Sequence, residues 1–240
     1  MKRLFTFMVG TMLLTSGFSS TAFANDIRTY NRSELVEVTA DDISLDYFAD
    51  YGLVSEKITV IADSLRTMIE NGATDDELDE YVESAMSRER YDLYSLINDK
   101  LNSQEEALFA ESSFRGVLAL ANAQFATNYA ETHYNSNVLH NDNGDAFRHI
   151  LWNYGMVIDI GYTWAKKWSD AHEYGAVGQP SIERSMDLHN NAIGLRLGQD
   201  NPGTILHNTF INKSREQVRN GNARIILGGR LTNSDSYGEK

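Results

Sequence analysis

The sequence predicts a mainly α-helical, bundle-like globular domain with a small C-terminal β-hairpin. Three observations favour this fold class. Only two of the 240 residues are proline, the residue least compatible with a helix interior. Apolar residues recur at the three- and four-residue spacing of amphipathic helices along most of the chain. Near residue 225 an Ile-Ile-Leu run is followed at once by Gly228 and Gly229, which is typical of a tight hairpin.

The first 24 residues have the three parts of a secretory signal peptide. Lys2 and Arg3 precede an apolar run at 4–14, and an Ala-Phe-Ala sequence predicts cleavage after Ala24. The apolar run is too short for a membrane span, which needs about 20 residues. We therefore expect an exported protein, periplasmic or secreted, with no integral membrane association.

Residues 25–102 are expected to form an acidic, helical N-terminal region. Apolar positions at helical spacing predict a first helix at 55–71, and a capping box predicts that a second helix begins near residue 74 and runs to about 88. A third helix is predicted at 91–101. The amino-acid pattern gives no role for this region.

Residues 103–240 are expected to form a second helical domain, opened by a capping box of Ser103 and Glu106. An asparagine-rich loop is predicted at 135–144. The helices predicted in this domain span 114–133, 145–160, 163–174, 183–198 and 209–220, and the hairpin spans 223–232.

Charge and composition exclude several classes of function. The formal net charge is −13, and an acidic surface repels phosphate backbones, so we expect no nucleic-acid partner. The chain contains no cysteine, which excludes disulfide bonds and thiol catalysis. It has neither a G-x-S-x-G motif nor a glycine-rich phosphate loop, so serine-nucleophile chemistry is not supported. Nothing in the composition identifies a substrate or a partner protein.

Two of the predicted helices carry polar residues along one face. Asp145, His149 and Trp152 lie on one face of the first helix, and Asp187 and Asn191 begin a similar face of another. If the two helices run in the same direction, their polar ends meet, and the bulky residues of the first lie over glycines of the second. Buried charges at close range must be paired, so this meeting predicts a hydrogen-bonded network, a metal site or an active site.

Each of these residues also has a purely structural interpretation. Asp145 follows a glycine and suits the first turn of a helix, where a carboxylate offsets the helix dipole. Arg148 can pair with Asp145 or Asp187. His172 lies on the same helix face as two tryptophans and can be a hydrogen-bonded core residue, while Glu173 can be solvated. The concentration of such residues within 50 positions nevertheless favours a functional site.

Three short strings stand out in combination. They are Asn-Gly-Asp-Ala-Phe-Arg-His-Ile-Leu-Trp-Asn at 143–153, Ala-His-Glu at 171–173 and Met-Asp-Leu-His-Asn-Asn-Ala-Ile-Gly at 186–194. Together they resemble a bacterial domain family of unknown function that is found in exported proteins and in toxin-like or phage-associated chains. The resemblance extends from about residue 103 to about 231, and it implies no particular reaction.

The leading hypothesis is a hydrolase that acts on an envelope or extracellular substrate. His149 is the expected general base or metal ligand, since an imidazole exchanges protons near neutral pH. Asp145 or Asp187 would orient it, Glu173 would be the acid partner, and Arg148 would hold developing negative charge. The residues expected to contact substrate are Trp152, Asn153, Asn190 and Asn191.

Two alternatives stay open. In a metal-dependent enzyme, His149, His172, Glu173 and Asp187 would surround zinc or another divalent ion, to which imidazole and carboxylate ligands are suited. In a non-catalytic binding or structural module, the same polar cluster would only lock the helices together. The sequence does not decide whether the protein is an enzyme.

Overall fold

The computed structural model of the chain describes residues 52–87, 97, 101–203 and 207–240. Its order of elements is α1 (Gly52–Glu70), α2 (Asp75–Ser87), α3 (Ser103–Glu111), α4 (Ser113–His133), a short 3-10 helix (Ser136–Val138), α5 (Asn143–Gly175), α6 (Ser181–Asp200), α7 (His207–Arg219), β1 (Arg224–Leu227) and β2 (Arg230–Asn233). The mainly α-helical fold class with a C-terminal hairpin is confirmed. The predicted signal peptide and most of the predicted helix 91–101 lie outside the described residues.

None of the described helices combines the length and the apolar character that crossing a bilayer requires. The predicted boundary near residue 103 between two helical regions stays a prediction.

The two predicted capping boxes have different outcomes. In the first, the Thr74 N–H donates to Glu77 Oε2 at 2.8 Å and the Glu77 N–H approaches Thr74 Oγ1 at 3.4 Å. The second lies one residue earlier than predicted, because Asn102 is the N-cap and exchanges hydrogen bonds with Glu105. Both the 102/105 and the 103/106 pairs fit the sequence pattern, and only the extended backbone of Asn102 decides between them.

Helix α5 folds back on itself at Gly161. His149 Nδ1 lies 3.7 Å from Glu173 Oε1, whereas a straight helix would separate positions 24 residues apart by roughly 36 Å. The reversal occurs at Gly161, whose φ of 76° is in the region that favours glycine. The halves 143–160 and 162–175 are therefore antiparallel, which confirms the break predicted between two helices there.

The first half of α5 and α6 run in the same direction, as the hypothesis required. A Cβ on Gly194 would lie 2.3 Å from the Ile150 carbonyl oxygen, and one on Gly198 would lie 2.4 Å from Val157 Cβ. Glycine at 194 lets α6 touch the backbone of α5, and glycine at 198 makes room for the Val157 side chain. The residues over the glycines are thus Ile150 and Val157, and the prediction that bulkier neighbours lie there was wrong.

The bulky residues predicted to lie over the two glycines were Trp152 and Met156. The Trp152 indole N–H donates to the Ala119 carbonyl of α4 at 3.1 Å. Both residues are buried in the hydrophobic core. The face of α5 that contacts α6 therefore differs from the predicted face, and Trp152 packs against α4 instead of α6.

The hairpin closes the C-terminal side of the fold. β1 and β2 are antiparallel, with Arg224 opposite Asn233 and Leu227 opposite Arg230. The turn between them consists of the two glycines at 228 and 229, both with positive φ, as a two-residue hairpin loop requires. Ile225 points into the core and is fully buried, so the hairpin is anchored to the helical body.

Candidate functional site

A cluster of polar side chains fills the space between the two halves of α5 and α6. We call it the His149 cluster. Its members are Asp145, Arg148, His149, Asn153, Glu173, Gln179, Asp187 and Asn191. Except for Arg148 and Gln179, which are half-buried, all of them are buried. The helical hairpin at Gly161 brings its two halves together, and the close packing of α6 completes it.

The predicted approach of residues 149 and 187 is confirmed. Nε2 of His149 lies 3.3 Å from Oδ1 of Asp187 and 3.6 Å from Oδ1 of Asp145. The i, i+4 spacing places Asp145 and His149 on one turn of α5, and the parallel course of α6 brings Asp187 to the same level. Two helices thus contribute three potentially charged groups to one buried point.

A chain of hydrogen bonds fixes which nitrogen of the neutral His149 imidazole carries the hydrogen. Glu173 Oε1 accepts from Nδ2 of Asn191 at 2.8 Å, which turns Oδ1 of Asn191 toward His149 Nδ1 at 2.9 Å. Asn153 donates to the same Oδ1 at 2.7 Å. Because Asn191 presents an acceptor, Nδ1 of His149 must carry the hydrogen in the neutral ring. The lone pair on Nε2 therefore faces the two aspartates.

Arg148 lies between His149 and Asp145. Its terminal nitrogen is 2.6 Å from Asp145 Oδ1 and 2.7 Å from His149 Nε2. Burial lowers the pKa of His149 to about 4, and the charge of Arg148 acts in the same direction. Burial opposes ionisation of Asp145, but Arg148 outweighs it and lowers the pKa of that carboxyl. At neutral pH the site therefore holds a neutral imidazole beside an Asp145–Arg148 ion pair.

Asp187 is incompletely paired. Its Oδ2 accepts from Gln179 Nε2 at 2.8 Å, while its buried Oδ1 has no hydrogen-bond partner among the described residues. Burial, together with repulsion from Asp145 and Glu173, raises the pKa of Asp187 to about 9. Buried polar atoms without partners are uncommon in folded proteins and are often found where a ligand binds.

Three members of the cluster could together hold a metal ion. Asp145, His149 and Asp187 each offer one ligand atom, and these atoms all lie within 4.8 Å of one another. This set shares two residues with the set predicted from sequence. Glu173 lies one layer further out, where its two oxygens accept from the side-chain amides of Asn191 and Gln179.

His172, the fourth residue of the predicted metal set, lies apart from the cluster. Its Nδ1 is 2.9 Å from Oε1 of Glu105, and the Trp152 ring meets it edge-on at a centroid distance of 5.2 Å. Burial tends to lower the pKa of His172, but the hydrogen bond and charge of Glu105 outweigh it and raise that pKa. His172 thus joins α3 to the second half of α5.

The comparisons with known proteins match one part of the chain to the model of a domain family. Residues 106–222 match the family model described as Domain of unknown function (DUF6973). The resemblance to an uncharacterised domain family is thereby confirmed, over a range slightly shorter at both ends than predicted. No curated protein and no solved structure shows significant similarity to the chain.

Every member of the His149 cluster lies within the DUF6973 range. Two residues predicted to contact substrate, Asn153 and Asn191, belong to the cluster. Asn190 does not, since its side chain exchanges two hydrogen bonds of 2.9 Å with the backbone of Arg224 in β1. Trp152 packs against α4. Neither of these two has a hydrogen bond to a cluster member.

Sequence reasoning missed one member of the cluster in the DUF6973 range. Gln179 donates to Asp187 Oδ2 and, at 3.2 Å, to Glu173 Oε2. It lies in the short loop between α5 and α6, next to Gly178, whose φ is 85°. Gln179 could have been suggested from the sequence, because it is a polar residue in the short loop between two helices that carry site residues. Because it is half-buried and bonded to both Asp187 and Glu173, Gln179 covers these two carboxylates.

Proposed function

We propose that this protein is exported and that its DUF6973 domain hydrolyses an envelope or extracellular substrate with the His149 cluster. The observation that carries the proposal is the convergence of His149 Nε2 with Asp145, Arg148 and Asp187 at one buried point. A neutral imidazole held in one tautomer can take a proton from water or bind an ion that activates water. Both routes lead to hydrolysis.

The surrounding residues support such a role through positioning. Glu173 and Asn191 form a relay that orients the ring, in the way that a third group orients the base in many hydrolases. Arg148 lies beside Nε2, where a guanidinium stabilises negative charge that develops on a substrate oxygen. In the route without a metal ion, the acid role expected for Glu173 is better suited to Asp187, because both oxygens of Glu173 already accept hydrogen bonds.

Access to the cluster depends on its two half-buried members. The Arg148 side chain is 13% exposed, and Gln179 belongs to a loop whose Val177 is fully exposed. Their side chains are long and unbranched, and each leaves the cluster by rotation about its own bonds. Substrate reaches Nε2 of His149 when these two side chains move aside.

Fragment release from a cell-envelope preparation tests the proposal. The purified protein, its His149→Gln variant and a His189→Gln control are each incubated with the preparation, and soluble products are identified by mass spectrometry. His189 is a suitable control because its Nε2 bonds to the Asn222 carbonyl outside the cluster. We expect products with the parent protein and the control only. No products, or equal products from a folded His149→Gln variant, would overturn the proposal.

One observation favours a second candidate, a non-catalytic module. His149, Glu173 and Asn191 are at most 1% exposed and are bonded to one another, as in a network that locks helices. In that case His149→Gln lowers the melting temperature by several degrees and no activity is found. Loss of activity with an unchanged melting temperature instead favours the enzyme.

A further inference from the structure

Two electron-rich atoms face each other at the centre of the His149 cluster. Nε2 of His149 carries a lone pair, because Nδ1 holds the hydrogen that it donates to Asn191. Oδ1 of Asp187 lies 3.3 Å away, and it is buried and without a hydrogen-bond partner among the described residues. Two such acceptors repel unless a proton or a metal cation lies between them. The geometry therefore leaves a place for a cation.

The charges of the cluster are also unbalanced. Three carboxyl groups, on Asp145, Glu173 and Asp187, converge near His149, and among the described residues the guanidinium that bonds to one of these carboxylates is that of Arg148. The Arg184 guanidinium bonds to the backbone carbonyl of Glu173 instead. With all three ionised, two negative charges remain uncompensated. One divalent cation would neutralise them, whereas a buried excess charge of this kind is otherwise costly.

The donor spacing fits a small transition-metal ion. Nε2 of His149 lies 3.6 Å from Asp145 Oδ1 and 3.3 Å from Asp187 Oδ1. Zinc bonds of about 2.0–2.2 Å to nitrogen and oxygen in tetrahedral geometry separate neighbouring ligands by about 3.3–3.6 Å. The two separations from His149 therefore match this geometry, and the ligand atoms of the two aspartates lie within 4.8 Å of each other.

The orientation of the imidazole has the form seen at metal sites. A metal-bound histidine usually donates its second ring N–H to an acceptor that fixes the ring and strengthens the ligand. Here Asn191 is that acceptor, and Glu173 holds Asn191 in place. The three ligands leave one tetrahedral position free for water, as in catalytic zinc sites.

Arg148 occupies the cation position in this structure. Its terminal nitrogen is within 2.7 Å of both His149 Nε2 and Asp145 Oδ1. Arg148 therefore forms hydrogen bonds to two of the three atoms that would bind the ion. Because its side chain lies at the outer edge of the cluster, it can withdraw toward solvent when another cation arrives. Arg148 would thus compete with the ion for the same ligands.

We propose that Asp145, His149 and Asp187 bind one divalent transition-metal ion, with zinc the best suited, and that Arg148 is its internal competitor. The proposal deepens the proposed function by naming the ion of the same site. It differs from the sequence-based set, because Asp145 replaces His172 and Glu173. Ion binding is measured without a substrate, so it stands or falls separately from hydrolysis.

Calorimetric titration of the chelator-treated full chain with Zn²⁺ alone tests the proposal. We expect one ion per chain for the parent protein. His149→Gln and Asp187→Asn should each bind at least about 100-fold more weakly, since each removes a direct ligand. The matched controls His189→Gln and Asp170→Asn, both outside the cluster, should bind like the parent. Arg148→Met should bind at least about tenfold more tightly.

Co²⁺ provides a second readout, because tetrahedral Co²⁺ has visible absorbance that disappears when a ligand is lost. Circular dichroism establishes that each variant is folded, and Asp187→Asn serves if His149→Gln does not fold. The metal site is overturned if the parent binds no ion or if folded Asp187→Asn binds as tightly as the parent. Unchanged affinity in Arg148→Met overturns the role of Arg148. Envelope hydrolysis without zinc binding would overturn the metal site and leave the hydrolase standing.

Discussion

The Asn191 side chain is hydrogen-bonded to three members of the His149 cluster. Its Oδ1 accepts from His149 and Asn153, and its Nδ2 donates to Glu173. All four groups are buried. Removing the amide leaves His149 Nδ1 and Glu173 Oε1 without this hydrogen-bond partner in a region that water does not reach, and each such group costs about 1–3 kcal/mol. Asn153 Nδ2 also loses a bond but keeps the one to the His149 carbonyl at 3.0 Å.

We therefore predict that Asn191→Ala lowers the free energy of unfolding by at least about 3 kcal/mol. Urea denaturation measures the change. The exposed Asn128, whose Oδ1 pairs with Gln124 on the surface of α4, supplies the control, and Asn128→Ala should stay within about 0.5 kcal/mol of the parent. A loss below about 1 kcal/mol in Asn191→Ala would mean that the relay to His149 is not tightly bonded.

Asp187→Asn should separate stability from function at a single position. The amide N–H of asparagine can donate to Nε2 of His149, where two acceptors now face each other, and its oxygen can still accept from Gln179. In chelator-containing buffer at neutral pH we expect a melting temperature equal to or above that of the parent. Thermal unfolding followed by circular dichroism measures it. A fall of more than about 5 °C contradicts this account of Asp187.

The residue-level prediction from sequence succeeded where helix periodicity decides the geometry. Spacings of four residues place Asp145 with His149, and Asp187 with Asn191, whatever the rest of the fold does. Gln179 and the Glu105–His172 pair were not predictable in this way. Gln179 lies in a loop, and the Glu105–His172 contact joins residues 67 positions apart, so both depend on how the helices pack.

At the scale of elements, the approach of α6 to α5 depends on Gly194. A Cβ there would lie 2.3 Å from a backbone oxygen of α5 and 2.8 Å from Asn153 Cβ. A backbone oxygen cannot rotate away as a flexible side chain can, so the helices must separate. Since Asn191 is one turn earlier on α6, that separation would also pull it from His149.

We predict that Gly194→Ala lowers the free energy of unfolding by about 1–3 kcal/mol through overpacking and weakens Zn²⁺ binding. Gly161→Ala is the matched comparison. Open space surrounds a Cβ at that position, so its cost, about 1–3 kcal/mol, comes from the backbone conformation alone. Denaturation and calorimetry of both variants measure these changes. If Gly194→Ala matches the parent in both the free energy of unfolding and Zn²⁺ affinity, the close approach of α6 to α5 does not depend on glycine at this position.

The junction of α3 with the second half of α5 should depend on pH through His172. Glu105 raises the pKa of His172 above its ordinary 6.5 despite burial. The folded state then holds the proton more tightly than the unfolded state does. The resulting stabilisation is fully present below about pH 6.5 and is lost as the pH rises through the folded pKa. The nearby charges of Glu173 and Arg148 act on this pKa in opposite directions.

His172→Asn keeps a donor to Glu105 and removes the titrating group. We expect the melting temperature of the parent to exceed that of His172→Asn most at pH 5.5 and least at pH 8.5. Thermal unfolding of both proteins across this range checks the sign, and the comparison cancels the titration of shared groups. A difference that grows with pH would contradict the Glu105–His172 pair as the cause.

Helix α5 shows which element-level features the sequence could predict. The break at residues 160–163 was predicted from the pattern of the two flanking helices, and Gly161 is its physical cause. The face of α5 that meets α6 was predicted incorrectly, because Trp152 has a better place against α4. Periodicity gives the faces of one helix, but the choice among apolar faces depends on the shapes of all its neighbours.

At the scale of the whole molecule, residues 234–240 connect elements that are far apart in the chain. Asn143, which begins α5 and is fully buried, donates to Asp235 at 2.6 Å and to the Tyr237 carbonyl at 2.9 Å. The Lys240 N–H donates to the last residue of α4, and Glu239 pairs with two arginines of α7. Residues 234–240 thus lie beyond the residues matched by the family model, 106–222, and hold the ends of helices within that range.

We predict that deleting residues 235–240 lowers the melting temperature by about 6–12 °C. The deletion leaves the buried amide of Asn143 without its partners and uncovers the end of α4, and together these changes cost about 3 kcal/mol. In a chain of this size each kcal/mol corresponds to about 2–4 °C. Because Asn143 precedes Asp145 by two residues, Zn²⁺ affinity should fall as well. Calorimetry measures both, with the exposed Arg230→Ala in the hairpin expected to match the parent within about 2 °C. If the deleted protein keeps the melting temperature of the parent, the start of α5 is held by the helical packing alone, and the cluster does not depend on the C-terminal segment.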